Sequence, residues 1–254
     1  MAYINVEAGG ADYRVILGNH RLTTPGSQLP DNCTGVVIEG SIFSPDLFYE
    51  ALEGEKKFQK DTFVIQYSQL REKCQKKQIP IIAGEPLTKW SAVGIRANAY
   101  ASRIFNTIVH ISRAYRYNKL YLLDAASSEN EILRDSQLFR DLREAIEYDD
   151  RRNPAIMIIP KNILITERAQ FFAESQRRKD TKKPNIAIVV GAMHMGVIDA
   201  LEMSTEERAA YLKSNSYIKG YYNAGSLADI FYVAYNPRRK NWSRHVLVDR
   251  NLKS

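Results

Sequence analysis

The stretch Ile186-Ala187-Ile188-Val189-Val190-Gly191-Ala192-Met193-His194-Met195-Gly196 decides the fold. Five consecutive aliphatic residues without a polar alternation read as a strand buried on both faces, the signature of a parallel sheet. The run then stops at glycine, and a histidine follows before the next glycine. Working outward, the same pattern recurs three times: Tyr13–Leu17 followed by Gly18, Asn19 and His20; Val36–Ile38 followed by Glu39; and Ile79–Ala83 followed by Gly84 and Glu85. In a parallel sheet the carboxyl ends of the strands lie along one rim, where ligands bind. Two histidines and two glutamates from distant parts of the chain are therefore expected to converge there.

The intervening segments carry helical periodicity and the punctuation that goes with it. Strands are expected at 12–18, 35–39, 79–84 and 185–191, and helices at 45–53, 63–78, 90–117, 129–149, 160–178 and 195–214. A C-terminal antiparallel hairpin joins 229–235 to 244–249, with Asn236 and Pro237 in the connection. Pro45 after Ser44 suits a helix start, and Pro154, Pro160 and Pro184 fall at element boundaries. The expected fold class is α/β: a mostly parallel central sheet, an inserted helical cap and the terminal hairpin. Residues 1–254 form one domain, with 90–184 as the helical insertion over the rim.

Bulk composition narrows the function classes. The chain has 44% hydrophobic and 26% charged residues among 254, and a chain of this length buries roughly three quarters of its extended surface. No basic segment followed by an apolar run opens the sequence, and Ile186–Met195 falls short of the ~20 residues a membrane-spanning helix needs. The two cysteines, Cys33 and Cys74, match neither a disulfide framework nor a metal motif. The expectation is a soluble cytoplasmic protein without a transmembrane segment and with free thiols. The net charge of +7 gathers around Arg177–Lys183 and at Arg238, Arg239, Lys240 and Arg244. Such runs usually form solvated surface. No nucleic-acid motif accompanies them, so a nucleic-acid partner is not expected. HExxH, Walker, GxGxxG and GxSxG motifs are absent from the sequence.

His194, after a buried strand and at a helix entry, is placed for catalysis or metal ligation. His20 repeats the arrangement. Glu39 and Glu85 follow buried aliphatics directly, where a carboxylate needs a partner or an ion. On a helix running through Ile163–Phe172, Arg168 shares a face with Leu164, Phe171 and Phe172, and Glu167 flanks that face. An arginine so placed needs an anion, either a carboxylate of the protein or a substrate oxygen. His110 projects from its apolar stripe and His245 lies in a terminal strand, and neither is counted in the site. Two histidines with one or two carboxylates suit a divalent metal ion such as Zn, Mn or Co.

Glu39 after its aliphatic strand, Ile165-Thr166-Glu167-Arg168 on a helix, and Val190-Gly191-Ala192-Met193-His194-Met195-Gly196 together resemble the TraB/PrgY proteins, relatives of the Tiki metalloproteases and of erythromycin esterase and ChaN-type folds. The resemblance runs from His20 to about Leu201. The family's second GxxH falls on Gly191 and His194, its glutamate on Glu39 and its arginine on Arg168, preceded by Glu167. Gly18-Asn19-His20 is one residue shorter than the first GxxH, and Ala169 replaces an asparagine. The resemblance implies a metal-dependent hydrolase of peptide or amide bonds, with pheromone inhibitors among its members.

On that reading His20, Glu39 and His194 hold the ion, Glu85 is the general base, Arg168 stabilises the oxyanion, and Glu167 is counted with them in the catalytic set. The partner is a peptide or small-molecule substrate, and self-association into a homo-oligomer is left open. Two other readings stay beside this one. One is a non-enzymatic protein that sequesters a peptide, haem or metal. The other is a metal-independent esterase-like hydrolase, in which a histidine oriented by a glutamate activates water.

Overall fold

The computed structural model describes residues 2–18, 28–39, 62–84, 137, 139–141, 143–144, 146, 158–178, 182–191, 194–214 and 231–246. Within them lie strands β1 (Ala2–Ala8), β2 (Ala11–Gly18), β3 (Gly35–Ile38), β4 (Ile81–Ala83), β5 (Asn185–Gly191), β6 (Phe231–Asn236) and β7 (Asn241–Val246). The helices are α1 (Thr62–Lys76), α2 (Ile158–Arg177), α3 (Val197–Glu202) and α4 (Thr205–Ser214). The expected helices at 45–53 and 90–117, His20, His110 and Glu85 lie outside the described residues. Helical residues between 137 and 146 fall inside the expected 129–149 helix.

The sheet has seven strands in the order β1-β2-β5-β3-β4-β6-β7. Its centre is parallel: β2 pairs with β5, β5 with β3, and β3 with β4. Antiparallel strands close both edges, β1 on β2 and the β6–β7 hairpin on β4. The C-terminal hairpin forms as expected, with β6 starting two residues later and β7 three residues earlier than the sequence reading placed them. The N-terminal strand β1 is an addition to the sequence reading. Ile4 and Val6 are buried while Asn5 and Glu7 between them are exposed, the alternation of an edge strand covered on one face. The β1–β2 turn is two residues, Gly9 at φ 55° and Gly10 at φ 74°. Positive φ at both positions is what a type I′ hairpin demands, and glycine meets it without strain.

Alternate residues of the central strands feed two cores. On one face Tyr13, Val15, Leu17, Val37, Ile186, Ile188 and Val190 meet Ile165, Ala169, Phe172, Val197 and Ile198 of α2 and α3. On the other, Ile16, Val36, Ile38, Ile81, Ala187 and Val189 meet Leu70 and Cys74 of α1. Cys33 and Cys74 are both buried and free, and burial pushes the Cys74 thiol up to about 12.

Two sequence expectations change. The helix expected over 195–214 is two helices. Met203 adopts an extended conformation (φ −67°, ψ 147°) that ends α3, and Ser204 starts α4 afresh as the first residue of a capping box. The Ser204 backbone N–H donates to Glu207 Oε2 at 2.7 Å, and the Glu207 N–H donates to Ser204 Oγ at 3.1 Å. The second change is the facing of α2. Its buried stripe is Asn162, Ile165, Thr166, Ala169, Phe172 and Ala173, spaced at three and four residues, while Phe171 is 52% exposed. The stripe centred on Leu164, Arg168 and Phe171 is rotated from the one that docks. α2, the described part of the 90–184 insertion with the 137–146 residues, lies against β3 and β5 as a sheet-covering layer.

No helix among the described residues is long and apolar enough to cross a membrane.

Candidate functional site at the sheet rim

Parallel register brings the ends of β2, β5, β3 and β4 to one edge: Gly18 pairs with Gly191, Ile38 with Val189, and Ile38 with Ala83. Glu39 leaves β3 at this edge and is tied twice to β5. Its backbone N–H donates to Val189 O at 3.0 Å, and its Oε2 accepts from the Gly191 N–H at 2.8 Å. The carboxylate is therefore fixed by the same strand that delivers the histidine.

His194 enters three residues beyond β5. Its Nε2 stands 3.1 Å from Glu39 Oε1, and its Nδ1 stands 2.7 Å from Asn162 Oδ1. The imidazole is 6% exposed and the Glu39 side chain 14%. Sequence positions 39, 162 and 194 thus form one buried polar chain, Glu39–His194–Asn162. With the amide oxygen of Asn162 toward the ring, Nδ1 carries the proton and donates it. Nε2 then faces a carboxylate oxygen. Two lone pairs at 3.1 Å repel, so in that tautomer a proton or a cation belongs between them.

A histidine nitrogen and a carboxylate oxygen are donors that a divalent ion takes, and their separation of 3.1 Å is equally that of a hydrogen bond between them. A histidine that ligates a metal commonly gives its other N–H to a carbonyl oxygen, and a ligating carboxylate is itself hydrogen-bonded. Asn162 Oδ1 and the Gly191 N–H fill those places. Among the described residues no group of three or more His, Cys, Asp or Glu side chains gathers with ligand spacing. His20, expected as the third ligand, follows the described end of β2 by two positions and lies outside the described residues, as does Glu85.

Glu167 pairs with an arginine of α4. Its carboxylate takes the Nε–H of Arg208, a residue 1% exposed that also donates to Gln170, to Met203 O and, at 3.3 Å, to Ala200 O. This Glu–Arg pair ties α2 to α4. Arg168 is partly buried beside it on α2, its Nε below the surface, and the side chain is engaged with other groups. His245 pairs in the β6–β7 ladder opposite Tyr232. The basic tip is an exposed turn in which the N–H groups of Arg238 and Arg239 donate to Asn236 Oδ1. Lys183 of the other basic run is held by Glu7 and Asp12, each at 2.7 Å.

Asn162 is the site residue that sequence reasoning passed over. A Cβ on Gly196 would lie 2.6 Å from Asn162 Nδ2, so the second glycine of the Gly191–Gly196 stretch is there for the close approach of an amide. An asparagine amid the apolar positions of Ile158–Ile165 was the available signal. Comparison of the chain with protein-family models, with curated proteins and with solved structures finds no match.

Proposed function

We propose that this protein is a hydrolase whose reactive centre is the Glu39–His194 pair, with a peptide or amide bond as its substrate and a divalent ion as its cofactor. The contact that carries the reading is Glu39 Oε1 to His194 Nε2 at 3.1 Å, with Nδ1 already committed to Asn162. Both ring nitrogens are thus in use. Direct activation of water by His194, as in a metal-independent esterase, requires Nε2 to give up Glu39. A cation between the two groups uses both as they stand. Glu39 and His194, joined by His20 on the family resemblance, would hold that ion, which when bound supplies a more acidic water and a polarised carbonyl. Asn162 fixes the ring orientation, and the Gly191 N–H fixes the carboxylate. Glu85 as base and Arg168 as oxyanion partner complete the proposal, and neither is needed for the contact that carries it.

The test is hydrolysis of a mixed peptide and ester library by the purified protein, with and without chelator, beside Glu39→Gln and His194→Ala. Loss of at least about 100-fold in either variant is expected, the scale of losing a general acid–base or ligand group, with chelation equally damaging and zinc or manganese restoring activity. Hydrolysis that survives both substitutions would reject the reading. Activity lost in the variants and indifferent to chelator would transfer it to the esterase mechanism. Metal uptake without any hydrolysis would transfer it to a sequestering protein.

A further inference from the structure

The helical layer borders a half-open pocket of about 180 Å³. Ile146, Ile159, Ile163, Met195, Ala200 and Met203 make its walls largely apolar, and Tyr211 also lines it. Asn162 and Gly196 lie on the wall nearest the histidine. Asn162 is 4% exposed; its Oδ1 is spent on His194, and its Nδ2, packed over Gly196, has no acceptor among the described residues. An amide N–H without a protein acceptor, at the wall of a largely apolar pocket, is available to donate to a ligand there. The cationic and anionic groups on the lining, Arg143 and Asp199, neutralise each other at 3.2 Å, so nothing there selects a charged ligand. An apolar cavity of about 150 Å³ takes a benzene ring, and this one has room for a ring with a short substituent.

We propose that this cavity binds a small neutral molecule, one ring or a branched chain of similar size bearing a carbonyl or hydroxyl oxygen, which accepts a hydrogen bond from Asn162 Nδ2 and thereby couples its occupancy to His194. The two ends of one amide make the coupling: the ligand holds the nitrogen while the oxygen holds the imidazole. Neither Glu39 nor His194 lines the pocket, and its occupancy is readable whether or not the protein hydrolyses anything.

Acetophenone and ethylbenzene, matched in shape and differing in the acceptor oxygen, serve as probes on the full chain. Binding is followed by calorimetry, and the His194 ring nitrogens by ¹⁵N NMR. Acetophenone is expected to bind roughly tenfold more tightly than ethylbenzene, the scale of one buried hydrogen bond, and to shift the Nδ1 resonance. Ala200→Leu, which fills the chamber, should weaken acetophenone by at least about tenfold, and Met203→Trp does the same from the far wall should the first variant fail to fold. The proposal is overturned by the absence of acetophenone binding at millimolar concentration, by equal affinity for the two probes, or by binding that both filling variants leave intact.

Discussion

His194 is defined by what each of its nitrogens meets. An imidazole with one nitrogen on an amide oxygen and the other on a carboxylate has a fixed orientation and a single place where a proton or cation resides. Gly196 underlies that arrangement, since a methyl group there would collide with Asn162 Nδ2. Gly196→Ala is therefore expected to push Asn162 from the ring and to destabilise the protein by about 1–3 kcal/mol, as overpacking does. Denaturant unfolding measures the loss, and a variant as stable as the parent would show that the amide has room to move. At this scale the sequence was half legible. His194 and Glu39 announced themselves because each ends a buried run. Asn162 did not, because an asparagine in a helix acquires meaning only through a partner 32 positions away.

Element boundaries follow local chemistry that a periodicity count blurs. The 195–214 segment has enough helix formers to look continuous, and the break at Met203 is set by the capping box that follows. The Ser204 N–H and hydroxyl hold the Glu207 carboxylate below the usual glutamate range. A carboxyl lowered in the folded state stabilises it at pH above the ordinary glutamate range, and that contribution fades as pH falls through the lowered value. Ser204→Ala should cost about 1 kcal/mol at neutral pH, and the gap in melting temperature between variant and parent should narrow in acid. A gap that is constant with pH would mean the carboxylate plays no part in the cap. The misphased stripe of α2 has a similar origin. Phe171 and Phe172 are both credible core residues, and only docking on β3 and β5 selects Phe172.

Across the whole molecule, β5 is the organising strand. It pairs on both sides, carries buried residues from Ile186 to Gly191, and delivers His194 to the rim that Glu39 also reaches. The parallel centre was legible because strands buried on both faces read as unbroken aliphatic runs. β1 escaped notice because a short strand covered on one face leaves only the faint alternation of Ile4 and Val6. Native-state hydrogen exchange should find the β5 amides the slowest and those of the edge strands β1 and β7 markedly faster. Equal protection of β1 and β5 would contradict this hierarchy.

On the proposed function, Glu39 and His194 share one proton or cation at the rim. The ¹⁵N spectrum of the His194 ring in the parent and in Glu39→Gln reads that sharing. Nε2 is expected to move on substitution while Nδ1, held by Asn162, keeps its protonated resonance. An Nε2 resonance indifferent to Glu39 would rule the sharing out.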